Sequence, residues 1–536
     1  MLYDQFYIFP IEKFLTFLKF FVIIYIHKGY ENNHKNSNEI FEKEIDKMNT
    51  FMNNLTDMNN IDLTENGGIK RKSTKSAVLD MFALCGSYRN RSDADCILAF
   101  KNAIEENETL ALKCLFYLRD IRGGQGERRF FRVCFRWLAD NYPEAARRNL
   151  INVSEYGRWD DLIYSCFDTK VEEDAFAIIK HQLALDVECK TPSLLAKWMP
   201  SENASARDTK RMGGIMREYL GMSHKQYRQM LSVLRSRINI VEKLMSEGRW
   251  DEIEFDKIPS KAGLKYRNAF ARRDIIAKKY EAFAKDETKT VNAAALYPYE
   301  IVKKATEHMG YWSHNNISDV DRAIIEKYWN NQIDVLNGEP CKMICVCDTS
   351  GSMTGTPLDV AIGLSMYCAE RIGGPFKNHY ISFSSRPQLI KIEGVDFVDK
   401  VERIYRTNLC ENTNIKATFD MLKKAALNAK PEDRPDTVCI ISDMQIDAMS
   451  VGHWDSDTTM TEMESIRQEW AAAGLECPRL VYWNVDARNN TILDAGPNVS
   501  FVSGFSPTTF KQVVTGVTAW DLMIQTICSK RYEAVV

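Results

Sequence analysis

Asp348-Thr349-Ser350-Gly351-Ser352 puts one carboxylate and two serine hydroxyls within five residues, directly after the apolar run Met343–Cys347. Two other segments carry matching groups, Glu411-Asn412-Thr413-Asn414 and Ile440-Ile441-Ser442-Asp443. Asp348, Ser350, Ser352, Thr413 and Asp443 together form an all-oxygen set. Hard divalent ions such as Mg²⁺ want oxygen ligands in octahedral array and usually keep several waters. Two carboxylates also match the charge of one divalent ion. The plainer alternative keeps the same groups as hydrogen-bonded caps and binds no ion.

These groups meet only if three segments share one rim. From Gly338-Glu339-Pro340 onward the pattern supplies such a rim. Strands are expected at Lys342–Cys347, Lys377–Phe383, Gln388–Ile392, Thr437–Ile441, Arg479–Val485 and Val499–Val502. Helices are expected at Leu358–Arg371, Ile415–Asn428, Met460–Ala473 and Pro507–Cys528. Alternating strands and helices imply an open, mainly parallel sheet covered on both faces. In such doubly wound α/β folds ligands bind at the carboxyl ends of the strands.

Asp-x-Ser-x-Ser after an apolar strand, followed by Thr413 and then Asp443, resembles the metal-ion-dependent adhesion site of von Willebrand factor A domains. The resemblance covers residues 341–536. It implies that Ser350, Ser352 and Thr413 hold Mg²⁺, Mn²⁺ or Ca²⁺ directly or through water, with Asp348 and Asp443 mostly behind them. One coordination place would stay open for a partner's carboxylate. Two departures stand out. Glu411-Asn412 replaces the Gly-Gly that the family often has before its Thr, and Met444 follows the last Asp where the family often has Gly. Glu411 is near enough to act as an internal ligand.

Residues 76–331 read differently, as successive amphipathic helices with short breaks. Leu110–Ile121 and Phe130–Ala139 carry apolar residues at three-to-four spacing. Further helices are expected over 143–156, 170–185, 208–220, 224–246, 262–284 and 297–309. A run of this kind suggests an all-α helical-repeat array, HEAT-like, forming an arc or a closed ring. Gly157-Arg158-Trp159-Asp160 recurs as Gly248-Arg249-Trp250-Asp251, 91 residues on. That is about two repeat lengths of 40–47 residues. In each phrase Gly is expected to close one helix in a left-handed cap and Asp to start the next as N-cap. A chance recurrence of a common helix-turn-helix phrase is the alternative.

Basic residues are grouped along this part. Arg128, Arg132 and Arg136 fall on one face at four-residue spacing, with Arg129 beside them. Lys225, Arg228 and Arg235 form a second stripe, and Lys261, Lys265, Arg272 and Arg273 a third. A solvated, salt-bridged face explains any one stripe. Three stripes with Trp159, Trp198 and Trp250 nearby favour a polyanion surface, RNA above all, through phosphate contacts and base stacking. Gly123-Gly124-Gln125-Gly126-Glu127-Arg128 lacks the Gly-Lys-Ser/Thr ending of a phosphate loop, so a helix connection is expected there.

Composition bounds the rest. Charged residues make up 27% and hydrophobic ones 45%, which excludes wholesale disorder. Residues 51–340 carry 45 Lys+Arg against 42 Asp+Glu, and residues 341–536 carry 19 against 24, so a polyanion would meet the first part. The 14 cysteines show no paired zinc spacing and read as reduced thiols in a cytosolic core. The histidines have no nucleophile partner, although His453, Asp455 and Asp457 could reach the rim from a loop.

Phe, Ile, Asn, Lys and Tyr fill 28 of the first 47 positions, the residues of AT-rich codons. The apolar run Phe14–Ile26 is too short to span a bilayer. Residues 1–47 are therefore expected to be a disordered or untranslated extension, with Met48 the real start. A membrane-surface helix is the alternative.

A long helical part joined to a C-terminal von Willebrand domain resembles the Ro autoantigen (TROVE) group, whose helical repeats form a ring closed by that domain. It is more similar still to an uncharacterised sister family of phages, large viruses, bacteria and plants. Leu118–Arg128, Leu195–Ser201 and Val502–Ser506 carry that similarity. The implied organisation is 48–337 helical-repeat and 338–536 von Willebrand A-like. The implied function is a non-enzymatic, monomeric, cytoplasmic RNA-binding scaffold in a bacterial or virus-infected cell. A metal-dependent protein-interaction adaptor without nucleic acid is the alternative.

Overall fold

The computed structural model describes residues 56, 58–65, 69–238, 240–309, 317–336, 341–383, 386–407, 414–445, 462–493, 498–507, 510 and 517–536. The expectations for residues 1–47, Glu411, Thr413, His453, Asp455 and Asp457 lie outside them. Asp62–Val536 forms one compact unit. Among the described residues no helix is long and apolar enough to cross a membrane.

A helix-rich region comes first and a mixed α/β region follows. The helices are α1 (Ala77–Leu84), α2 (Asp93–Glu106), α3 (Glu108–Arg119), α4 (Arg128–Asn141), α5 (Pro143–Tyr156), α6 (Trp159–Cys166), α7 (Glu172–Glu188) and α8 (Leu195–Trp198). They continue as α9 (Arg207–Tyr219), α10 (His224–Arg237), α11 (Val241–Ser246), α12 (Ser260–Arg272), α13 (Asp274–Lys285), α14 (Pro298–Thr306) and α15 (Asp319–Asn330). Several starts follow from local chemistry. Ser92, Asn107, Ser223 and Ser318 each accept a backbone N–H of the first turn, satisfying a donor the helix leaves open.

Two expected helices are each two. The stretch 224–246 breaks after Arg237, and 262–284 breaks at Arg273, whose backbone is extended (φ −88°, ψ 108°). Asp274 then opens α13 in its first turn, where a carboxylate suits the helix dipole. The cap reading of the repeated phrase also needs correcting. Gly248 is left-handed (φ 75°), but Gly157 is not (φ −115°). Asp160 and Asp161 lie inside the first turn of α6, and Arg158 is the N-cap. The Asp161 carboxylate accepts the Arg158 backbone N–H at 2.9 Å, so it serves the helix start from inside. In the second phrase only a 3₁₀ turn forms, Trp250–Glu252.

The α/β region holds β1 (Met343–Asp348), β2 (His379–Phe383), β3 (Gln388–Lys391), β4 (Thr437–Ser442), β5 (Arg479–Asn484) and β6 (Val499–Ser503) in one six-stranded sheet. Its order is β3-β2-β1-β4-β5-β6. Only β3 is antiparallel. Every residue of β1 and β4 is buried, which is why these runs are apolar throughout, as central parallel strands require. β3 is mostly exposed and ends in Lys391, as suits an edge.

The helices of this region are α16 (Thr356–Arg371), α17 (Phe397–Thr407), α18 (Ile415–Leu427), α19 (Glu462–Ala472) and α20 (Ala519–Ile527); α17 packs on α14 and α15. α16 packs on β1, β2 and β4. The sequence reading places no helix at α17, and α20 occupies the end of the expected 507–528 helix, of which 508–509 and 511–516 lie outside the described residues.

The two regions are not beads on a string. α1 packs against β6 and α20, and Gly86 N–H donates to Ser503 Oγ at 3.0 Å. At the other end α14 packs on α16. Start and end of the helical region also meet directly. Tyr297 Oη donates to the Gln125 carbonyl at 2.9 Å. That loop needs its glycines: a Cβ on Gly124 would fall 1.9 Å from the Tyr117 carbonyl oxygen, and Gly126 has φ 67°. Beyond α20 the chain returns to α3 and α5. Arg531 and Tyr532 both donate to the Asp120 carboxylate, and Asn152 Nδ2 donates to the Ala534 carbonyl at 2.7 Å.

Candidate functional site

The sheet order reverses direction between β1 and β4, which lie side by side. Their carboxyl ends form the crevice where doubly wound sheets bind ligands. Asp348 is the last residue of β1, and Asp443 follows β4. Both are fully shielded from water. Ser442 Oγ donates to Asp348 Oδ2, and Ser350 N–H donates to Asp348 Oδ1 at 2.9 Å. The Ser350 and Ser352 hydroxyl oxygens lie 3.0 Å apart. Gln445 N–H donates to Asp443 Oδ1 at 3.1 Å.

Asp443 Oδ2 accepts no hydrogen bond among the described residues. Arg488 is 4.0 Å away, with its guanidinium held on the Ser352 carbonyl. Met444 takes φ 63°, a left-handed conformation that favours glycine. Burial, then the charge of Asp443, pushes the Asp348 carboxyl well above the usual carboxylate range. Burial pushes Asp443 up as well, against the Gln445 N–H, the Ser352 hydroxyl and Arg488. Two buried carboxylates, the charge of Asp443 adding to the cost of ionising Asp348 and Asp443 Oδ2 without a hydrogen bond among the described residues, suit a bound cation. Among the described residues no three His, Cys, Asp or Glu side chains converge. Asp486, buried after β5 and paired with Arg488 at 3.3 Å, adds its charge to Asp443. So the structure brings together Asp348, Ser350, Ser352 and Asp443, with Thr413 outside the described residues.

A second site is a cavity of about 1160 Å³ in the helical region. Nine Arg and Lys side chains line it against four Glu. Six of the nine are ion-paired, Arg119, Arg129, Arg158 and Lys261 with acids off the wall, so the cations it offers are Arg128, Lys197 and Lys265. Trp198, Tyr297 and Tyr299 add aromatic surface.

The expected basic stripes meet different fates. Arg128 lines the cavity and makes no ion pair or hydrogen bond among the described residues. Burial, then the neighbouring Arg158 and Arg132 cations, lowers its pKa, which marks an electropositive wall. Arg129 also lines the cavity but is paired with Asp93. Arg132 is spent on Asp161 Oδ1 at 2.7 Å and Asp160 Oδ2 at 2.8 Å. Arg136 lies 3.8 Å from Asp168 and off the cavity wall.

In the second stripe, Lys225 and Arg228 lie on the exposed side of α10. Arg235 donates to the Ala196 and Met199 carbonyls and to Ser201 Oγ, each at 2.8 Å. From the third stripe Lys261 and Lys265 reach the cavity, while Arg272 and Arg273 do not. Arg273 sits 5.0 Å over the Trp250 ring. Three stripes on one surface are thus replaced by one cavity drawing single residues from several elements. Sequence reading missed Arg89, Arg119, Arg158, Lys197 and Lys257 there. Arg158 was visible in the repeated phrase, and Lys197 in Leu195–Ser201.

Comparison with known proteins gives matches without a described activity. A domain of unknown function, DUF7788, matches residues 342–523. Another, DUF2828, matches residues 64–164 and 195–340. The junction between them falls where helices give way to strands. An uncharacterized protein of Acanthamoeba polyphaga mimivirus is 28% identical over 503 residues, with 85% of each chain covered.

Proposed function

We propose that this protein is a non-enzymatic RNA-binding scaffold resembling Ro ribonucleoproteins. Its helical repeats form a ring of HEAT-like character, closed by a von Willebrand A-type domain. The observation that supports this reading is the aromatic-bearing cavity whose lining includes Arg128, Lys197 and Lys265, cations without an acidic partner among the described residues. Such a wall attracts phosphates, and its aromatic side chains offer stacking faces to bases. Arg128, Lys197 and Lys265 would meet the backbone of a single strand.

At the other site Ser350 and Ser352 would hold Mg²⁺, Mn²⁺ or Ca²⁺, with Asp348 and Asp443 supplying charge from behind. A bound ion would offer an open coordination place to an anionic group of a partner. The orphan Asp443 Oδ2 favours the second reading as well, a metal-dependent adaptor for a carboxylate-bearing protein. In both readings the protein is a cytoplasmic monomer and no reaction is catalysed.

Filter binding of single-stranded RNA across a salt series tests the first reading. Binding that weakens steeply with salt is expected. RNA binding that is absent, together with capture of a protein partner lost to a chelator, would establish the adaptor instead. Turnover of RNA, DNA, peptide or nucleoside triphosphate that vanishes in Asp348→Ala would overturn both.

A further inference from the structure

Eight tryptophans are described, and seven belong to the buried core or pack against it. Trp198 does neither. It is half-buried, and its ring packs against cations rather than against the core.

Its position is nonetheless fixed. Trp198 ends α8, and the following loop is anchored from three sides. Arg235 clamps the Ala196 and Met199 carbonyls and Ser201 Oγ. Tyr227 Oη, buried, donates to the Pro200 carbonyl at 2.7 Å. Glu202 accepts from Arg217 at 2.9 Å. Gly213 of α9 lets the loop lie close, since a Cβ there would come within 2.9 Å of the Glu202 nitrogen. The phrase Leu195–Ser201 is therefore the base of a rigidly mounted indole.

Cations surround it. The Arg158 guanidinium lies 3.8 Å from the indole centroid, and the Lys197 ammonium 5.6 Å. Arg158 is itself held by Asp160 at 2.8 Å. Trp198 and Lys197 line both the large basic cavity and a neighbouring one of about 550 Å³. Arg158 lines only the large one. The smaller cavity also presents Tyr164, Asn203 and Thr209, which offer polar edges.

We infer that Trp198 is a stacking platform for one nucleobase of a single strand whose phosphates lie in the large cavity, the base entering the smaller one. The inference rests on the RNA-binding reading. Stacking on an aromatic ring requires a π-face and is tolerant of sequence, so any base would serve.

The test uses the full-length protein and two probes of equal length and charge. One is oligouridylate, and the other is the same strand without bases. The unmutated protein should bind the base-bearing strand roughly 5- to 150-fold more tightly, the range for one base–aromatic stack. Trp198→Ala should lose most of that preference, keeping only what Tyr297 and Tyr299 supply, and Trp198→Phe should retain most of it. Because Trp198 lies outside the core, Trp198→Ala should unfold at the same urea concentration as the unmutated protein. Equal binding of both strands by the unmutated protein, or an undiminished preference in Trp198→Ala, would overturn the stacking platform and leave the RNA reading standing. If neither strand bound, both readings would be overturned.

Discussion

The Arg119 guanidinium donates twice to one oxygen of Asp161, at 2.8 and 2.6 Å, and neither side chain is exposed by more than 2%. The other Asp161 oxygen takes Arg132. Breaking a buried pair by removing one partner leaves an uncompensated charge and costs about 3–5 kcal/mol. Arg119→Met and Asp161→Asn should each lower the urea midpoint by an amount of that order. Arg132→Gln should cost less, since its side chain is 23% exposed. Equal midpoints for Arg119→Met and the unmutated protein would refute a central role for this pair.

Metal binding gives a second expectation. Calorimetry with Mg²⁺ should show one ion per chain, and Asp443→Ala or Ser350→Ala should abolish it. Saturating metal should raise the melting temperature of the unmutated protein alone, because an ion bound only to the folded state stabilises it. Failure of the unmutated protein to take up any divalent ion would remove the site.

Salt dependence separates residues that line the cavity from those that do not. For single strands the slope of log affinity against log salt becomes shallower by about 0.7 for each phosphate left without its cation. Arg128→Gln and Lys265→Gln should each change the slope by about that much. Arg136→Gln, off the wall, should leave it unchanged. An equal effect of all three would point to a diffuse surface.

Acid should loosen the return of the chain onto α3. Burial pushes the Asp120 carboxyl up, but Arg531 and the Arg122 and Gly123 backbone N–H groups outweigh it, so its net shift is downward. A carboxylate lowered in the folded state contributes stability that is fully present above its unfolded value, about 3.9. That contribution is lost as pH falls through the lower folded value. Asp120→Asn should therefore lower the urea midpoint at pH 7, and the gap should close as pH drops below about 4. A gap that stays constant with pH would mean that Asp120 acts by shape alone.

Local patterns were legible, and non-local pairing was not. All six strands of the large sheet were readable to within two residues at either end, because β1 and β4 are continuous apolar runs and the others are bounded by turn residues. The same logic brought Asp348 and Asp443 to one rim. α17 was legible too, since Phe397, Val398, Val401, Ile404 and Tyr405 follow helical spacing. It lies between a strand and the rim segment and passes for a connection. The cavity was not legible, because its wall takes residues from many elements between Arg89 and Tyr299. Helical spacing put Arg132 and Arg128 on one stripe, yet acids 28 and 29 residues away claim Arg132. No periodicity within one helix reports such a partner.

Ser503 holds Gly86 across 417 residues of chain, and α1 rests on β6. The first helix therefore completes its burial only after the last strand exists. A contact of such long range is made late, because closing the loop must be offset by interactions that form with it. The helical region expressed alone would expose the apolar side of α1, including Val78, Met81 and Phe82. Such a fragment should aggregate, and the intact chain should refold slowly with both regions melting together. Splitting the protein at residue 340 for expression would thus separate two halves of one cooperative folding event.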